Sequence, residues 1–206
     1  MSQHNCNKHE HEKGSLGSEE KIIAATRFSE SFHKWANLPE DAIVMDFGCG
    51  TGIAGQYFLD KVAKVIFLDP EKKGLDTCRE HFGSNPKAEL ILGEIDSYNG
   101  EKIDAIEVSL TLHHIEDVEG TIDKFLKVLK PHGKVGVVEF TPDIPFFARV
   151  KPKIPHYGFE PEKLKAMFLA HGYPRVEIHP ADPISFLQDD GTNEVNERFA
   201  LYAEAP

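Results

Sequence analysis

The chain has 206 residues, 40% of them hydrophobic, and its 34 acidic side chains against 23 basic ones leave a net charge of −11. Such a length suits one domain with a sizeable core, and such a charge disfavours nonspecific binding along a nucleic-acid backbone. No apolar run approaches the ~20 residues of a membrane span, and three cysteines without paired spacing (Cys6, Cys49, Cys78) argue for a reducing, cytoplasmic setting.

Residues 1–17 hold almost no apolar side chain, so they are expected to form a disordered tail, with the folded domain over 18–206. His4, Cys6, His9 and His11 imitate a metal cluster, but a tail without supporting hydrogen bonds rarely closes one, and no metal is expected. Ser18 is a good N-cap for a helix in which Ile22, Ala25, Phe28, Phe32 and Trp35 recur at near-helical spacing. Most of that stripe reads as core, with Phe28 and Trp35 as candidates for a pocket wall.

The run Ala42 to Phe47 reads as a buried strand that ends in Gly48-Cys49-Gly50-Thr51-Gly52 and opens a helix over 53–60. Glycines belong at such a turn because a Cβ bars positive φ and holds the backbone off a ligand. The next strand, over 64–69, ends on Asp69, placed to accept hydrogen bonds from a ribose diol. Together these elements describe a nucleoside-binding βαβ unit. Its ligand stays open at this point. Gly50-Thr51-Gly52-Ile53-Ala54-Gly55 also satisfies the dinucleotide fingerprint, with Asp69 19 residues beyond Gly50. A pyrophosphate at the helix N-terminus would meet Asp46, however, whereas an ammonium or sulfonium group would be favoured there.

Further on, helices are expected near 72–82 and 118–129 and strands near 88–93, 103–109 and 134–140. Val118, Ile122, Phe125, Leu126 and Leu129 line one face of the second helix and Pro131 stops it. A last helix opens at Pro161 and ends before Gly172, and strands near 175–180 and 197–203 close the chain. Apolar strands alternating with helices imply an α/β, Rossmann-like doubly wound sheet, mostly parallel, with ligands at the carboxyl ends of its strands. The proline-punctuated segment from Thr141 to Glu160 is long enough to be a lid over that edge. Phe146, Phe147, His156 and Tyr157 are its candidates for touching a substrate.

Val44 to Gly52 resembles the first motif of the class I S-adenosylmethionine-dependent methyltransferases. Leu68-Asp69-Pro70 looks like their ribose-binding strand end, and Gly93-Glu94-Ile95-Asp96 like the loop that meets the adenine. Ile106 to Ile115 is similar to their fourth strand and its loop, and Leu129 to Lys134 to the turn before strand five, with His132 where glycine is usual. The order and spacing match over roughly residues 20–203. The resemblance implies seven strands with an antiparallel edge strand, and S-adenosylmethionine as cofactor. It places Asp46, Gly48, Cys49, Gly50, Gly52, Asp69, Pro70, Ile95, Asp96 and Ser109 around it.

A sulfonium methyl is already activated, so alignment and desolvation carry most of its transfer. An oxygen or nitrogen acceptor can also need a base, for which His113 and His114 after strand four are the candidates. The expected protein is a monomeric methyltransferase acting on a small-molecule acceptor. A noncatalytic S-adenosylmethionine-binding regulator and an NAD(P)-dependent oxidoreductase are the alternatives.

Overall fold

A computed structural model describes residues 18–142, 154–187, 191 and 193–206. Helix α1 (Glu19–Ala36) leads into β1 (Ile43–Phe47), β2 (Lys64–Asp69), α2 (Lys72–Phe82), β3 (Ala88–Leu92) and β4 (Ile103–Ser109). Then come α3 (Val118–Val128), β5 (Leu129–Phe140), α4 (Pro161–Ala170), β6 (Arg175–Leu187) and β7 (Asn193–Glu204). The seven strands form one sheet in the order β3-β2-β1-β4-β5-β7-β6. Strands β1 to β5 run parallel, β7 is antiparallel to β5, and β6 returns antiparallel to β7, so the closing hairpin forms that edge. Among the described residues no helix is long and apolar enough to cross a membrane.

Alternation along β1 sends side chains to two cores. Ile43, Met45 and Phe47 pack with Ile122 and Phe125 of α3 and Leu164 and Phe168 of α4. Val44 packs on the opposite face with Phe28 and Phe32 of α1 and Leu75 and Cys78 of α2. Both faces of β1 are covered, which is why this strand reads as an unbroken apolar run with one exception, Asp46. The strand order reverses between β1 and β4, where the crossovers leave to opposite sides and a crevice opens at the carboxyl ends.

Local structure departs from expectation at several points, and β5 already begins at Leu129, where a turn was expected. The segment 53–60 forms only a short 3₁₀ turn, Gly55–Phe58. The Gly55 amide is drawn to the Asp46 carboxyl (2.9 Å), and a Cβ on Gly55 would stand 2.6 Å from the Phe67 ring, so the chain is pulled onto the sheet before a helix can propagate. Ser18 precedes α1, yet its side chain makes no cap; its carbonyl accepts from Ile22 instead (3.0 Å). The closing strands are longer than their apolar runs. A register shift between Ala181 and Ile184 absorbs Asp182 and Pro183, letting the ladder continue past a residue with no N–H to donate.

Candidate active site

The carboxyl ends of four adjacent strands are tied together by hydrogen bonds. Gly48 and Cys49 donate to the Leu68 carbonyl (2.8 and 3.2 Å), and Gly93 donates to the Asp69 carbonyl (2.9 Å). Thr111 donates its hydroxyl to the Gly48 carbonyl (3.3 Å). Gly48 (φ +70) has no alternative here, because a Cβ would fall 2.2 Å from the Thr111 methyl. Gly50 (φ +52) is different: a Cβ there would meet nothing within 4 Å. Its space is open, as a cradle for a ligand requires.

Asp69 lies across this turn. One carboxylate oxygen accepts from the Gly50 amide (2.7 Å) and the other from the Glu71 amide (2.7 Å), which fixes the carboxylate's orientation while leaving acceptor capacity on each oxygen. Pro70 beside it is exposed, and Ile95 is buried against the core of β1 and β4. Asp96 is exposed and paired with Lys124 (2.6 Å). Ser109 ends β4, and Leu110 after it holds φ +52, a conformation that costs a non-glycine residue on the order of 1–3 kcal/mol. Cys49 is buried, and a hydrogen bond with the Cys78 thiol of α2, then burial, hold the Cys49 thiol well above its ordinary range.

Asp46 is 1% exposed and faces α1, with its carboxyl committed to the Gly55 amide. Its neighbour across the ladder is Glu107, 0% exposed, which accepts from the Ser29 hydroxyl of α1 at 2.6 Å. Burial pushes Asp46 up to about 7, the Gly55 amide opposing and the Asp69 charge adding. Burial also holds Glu107 well above the carboxylate range, with Asp46 adding and Ser29 opposing. Two carboxyls so placed cannot both ionise cheaply. Asp46 therefore meets the turn from beneath through the Gly55 amide, and, being only partly ionised near neutral pH, its charge alone does not separate one nucleotide from another. The separating feature is the missing helix: a four-residue 3₁₀ turn offers no helix N-terminus for a pyrophosphate.

This pair sets a pH dependence. With Asp46 near 7 in the fold against an ordinary 3.8, the folded chain holds a proton between about pH 4 and 7 that the unfolded chain has lost. Stability from this group is therefore present at low pH and lost as pH rises through 7. Asp46→Asn is expected to flatten that slope and raise stability at pH 8 by up to about 4 kcal/mol. Urea melts of both proteins at pH 5, 6.5 and 8 measure it, and parallel curves would refute the account.

On the β4–β5 side, His113 is 4% exposed, with Nδ1 2.9 Å from Glu139 on β5. Glu139 is 0% exposed and also accepts from the amides of His113 (3.3 Å) and Phe140 (3.2 Å). His114 is largely open to solvent, its ring 4.2 Å from that of His113; the ring's partial shielding from water, then the neighbouring His113, lower its pKa. His156 joins the cluster by donating its amide to the His113 carbonyl (3.3 Å) while its ring packs on Phe159. Phe146, Phe147 and the histidines of the tail lie outside the described residues. Among the described residues no group of three or more His, Cys, Asp or Glu side chains could hold a metal.

The structure thus gathers Gly48, Gly50, Asp69, Ser109 and His113 along one edge. Sequence reading passed over Glu107 and Glu139, although each signals itself as a lone acid inside an apolar strand, Ile106-Glu107-Val108 and Val138-Glu139-Phe140.

Residues 45–137 match the family described as "Methyltransferase domain". The chain is 26% identical over 139 residues to an uncharacterized methyltransferase of Schizosaccharomyces pombe, covering 62% of this chain and 46% of that protein. It is 25% identical over 109 residues to a demethylmenaquinone methyltransferase of Clavibacter sepedonicus, covering 52% of this chain and 44% of the relative. The matched region is less than half the length of these relatives. The fold is shared with a SAM-dependent methyltransferase from Aquifex aeolicus, at a TM-score of 0.67 and 18% identity over 91% of this chain and 97% of that one.

Proposed function

We propose that this chain, which belongs to the class I S-adenosylmethionine-dependent methyltransferases, binds S-adenosylmethionine at the Gly48–Asp69 edge and methylates a small molecule. The observation that carries this reading is the empty space over Gly50 beside a carboxylate whose orientation two backbone amides fix. The group fits: Asp69 can accept from a ribose diol, and the open turn admits close backbone approach. S-adenosylmethionine supplies an activated methyl when bound, so the residues of the chain have mainly to bind, align and exclude water. His113 is the proton acceptor for the acceptor group, with Glu139 holding its Nδ1 side so that Nε2 faces away from the carboxylate. A relative named for demethylmenaquinone supports a small acceptor. The buried free thiols Cys49 and Cys78 support a reducing, cytoplasmic setting, and a monomer completes the proposal.

Calorimetry with S-adenosylhomocysteine and with NADH tests the cofactor. The former is expected to bind and the latter not. Asp69→Ala is expected to weaken binding by about 1.5–3 kcal/mol, the worth of hydrogen bonds to a charged group. Tight NADH binding, or unchanged affinity in a folded Asp69→Ala protein, would overturn the assignment. Retention of a labelled methyl group on any compound of a metabolite screen separates transfer from binding alone.

A further inference from the structure

A groove of about 250 Å³ lies between α1 and the β6–β7 hairpin. Ala24 and Phe28 of α1 and Ala200 and Tyr202 of β7 line it, with the Phe28 and Tyr202 rings 6.2 Å apart. Arg27, Asp182 and Arg198 also line it. The groove is thus apolar in part and carries two cations and one acid.

The charges are not evenly satisfied. Asp182 is paired with Arg27 at 3.0 Å. Arg198 is only 5% exposed; its Nε donates to the Asp182 carbonyl (2.7 Å), while Nη2 is buried with no hydrogen-bond partner. Among the described residues no carboxylate lies within ion-pair distance of Arg198. Glu139, a buried acid whose charge Arg198 senses, is already bonded to His113 and to the Phe140 amide. Burial lowers Arg198 to about 10, against the pull of Asp182 and Glu139, so the guanidinium stays charged at neutral pH. A buried, charged fork with an unused donor is costly unless something accepts from it.

We propose that this groove binds a small molecule with an apolar, ring-sized body and one carboxylate or phosphate group, the anion accepting from Arg198 and the body lying against Phe28 and Tyr202. A guanidinium suits both anions because its planar fork matches two oxygens at once. Arg198 stands opposite Phe140 on the ladder, beyond Ala200, which faces Val138, which in turn faces Ser109. The site therefore opens near the same rim as the end of β4, two strand spacings away, roughly 10 Å. The proposal needs no methyl transfer and stands apart from it.

The test titrates full-length protein with benzoate, phenyl phosphate and benzamide, followed by chemical shifts of the side chains lining the groove. Benzoate or phenyl phosphate is expected to saturate at least tenfold tighter than benzamide, and the better of the two identifies the anion. Arg198→Met is expected to reduce that affinity at least tenfold and to abolish the preference over benzamide. Ala181 also lines the groove; Ala181→Phe, which fills it and retains Arg198, is expected to abolish binding of all three, so it decides the matter if Arg198→Met fails to fold. Thermal melts report folding of both variants without reference to any cofactor. Equal binding of benzamide, no saturation by either anion, or unchanged affinity in a folded Arg198→Met or Ala181→Phe protein would each overturn the proposal.

Discussion

A Gly50→Val protein is expected to fold and to lose affinity for S-adenosylhomocysteine by roughly 100-fold or more. Two effects combine. The backbone at Gly50 sits at φ +52, where a β-branched residue is strained, so the turn must distort or store that strain. The new methyls would also stand in the space that no atom of the protein now occupies. Because that space is empty and lies at a strand end, the packing of the core is untouched, and the melting temperature is expected to fall only modestly. Gly50→Ala separates the two terms: it keeps the φ strain, about 1–2 kcal/mol, but adds a single carbon. Its affinity is expected to lie between the wild type and Gly50→Val. Undiminished binding by a folded Gly50→Val protein would show that the turn does not touch the ligand. By contrast, Gly48→Ala should damage the fold itself, since its Cβ would overlap Thr111.

Replacing His113 by Gln is expected to lower the single-turnover rate of methyl transfer by roughly 10²–10⁴-fold while leaving S-adenosylhomocysteine affinity intact. The argument rests on the Glu139 contact. A carboxylate 2.9 Å from Nδ1 favours the tautomer with its proton on that nitrogen, which makes Nε2 the basic one. Glu139→Gln keeps the shape but removes the charge, so a smaller loss in the same direction is expected. His114 is the internal control. Its exposed ring has no such carboxylate partner among the described residues, and His114→Gln should leave the rate nearly unchanged. Its lowered pKa also keeps it uncharged at neutral pH, so it places no positive charge beside His113 there. Labelled methyl transfer to an acceptor found by screening measures all three variants. If His113→Gln retains the wild-type rate, the dyad is structural, and positioning alone carries the reaction.

Several features of this protein were open to reading from the chain itself. The alternation at Val44, Met45 and Phe47, the spacing of Val118, Ile122 and Phe125, and the glycines at 48, 50 and 52 are local patterns, and local backbone preferences follow local sequence. Strand and helix types, the parallel sheet, the glycine turn and the acid at the tip of β2 were therefore legible. The helix expected over 53–60 was not, because its fate depends on Asp46 and Phe67 holding Gly55 against the sheet. What only tertiary structure decided is which buried polar groups meet. Ser29 reaches Glu107 across 78 positions, and Arg27 reaches Asp182 across 155. Such contacts follow from β4 lying beside β1 and from the closing hairpin folding back under α1. No periodicity encodes them, since strand order is set by the burial of whole faces and not by neighbouring residues. The same reason governs Asp46: its type and position were plain in the sequence, but its partners, the Gly55 amide and Glu107, were chosen by the fold.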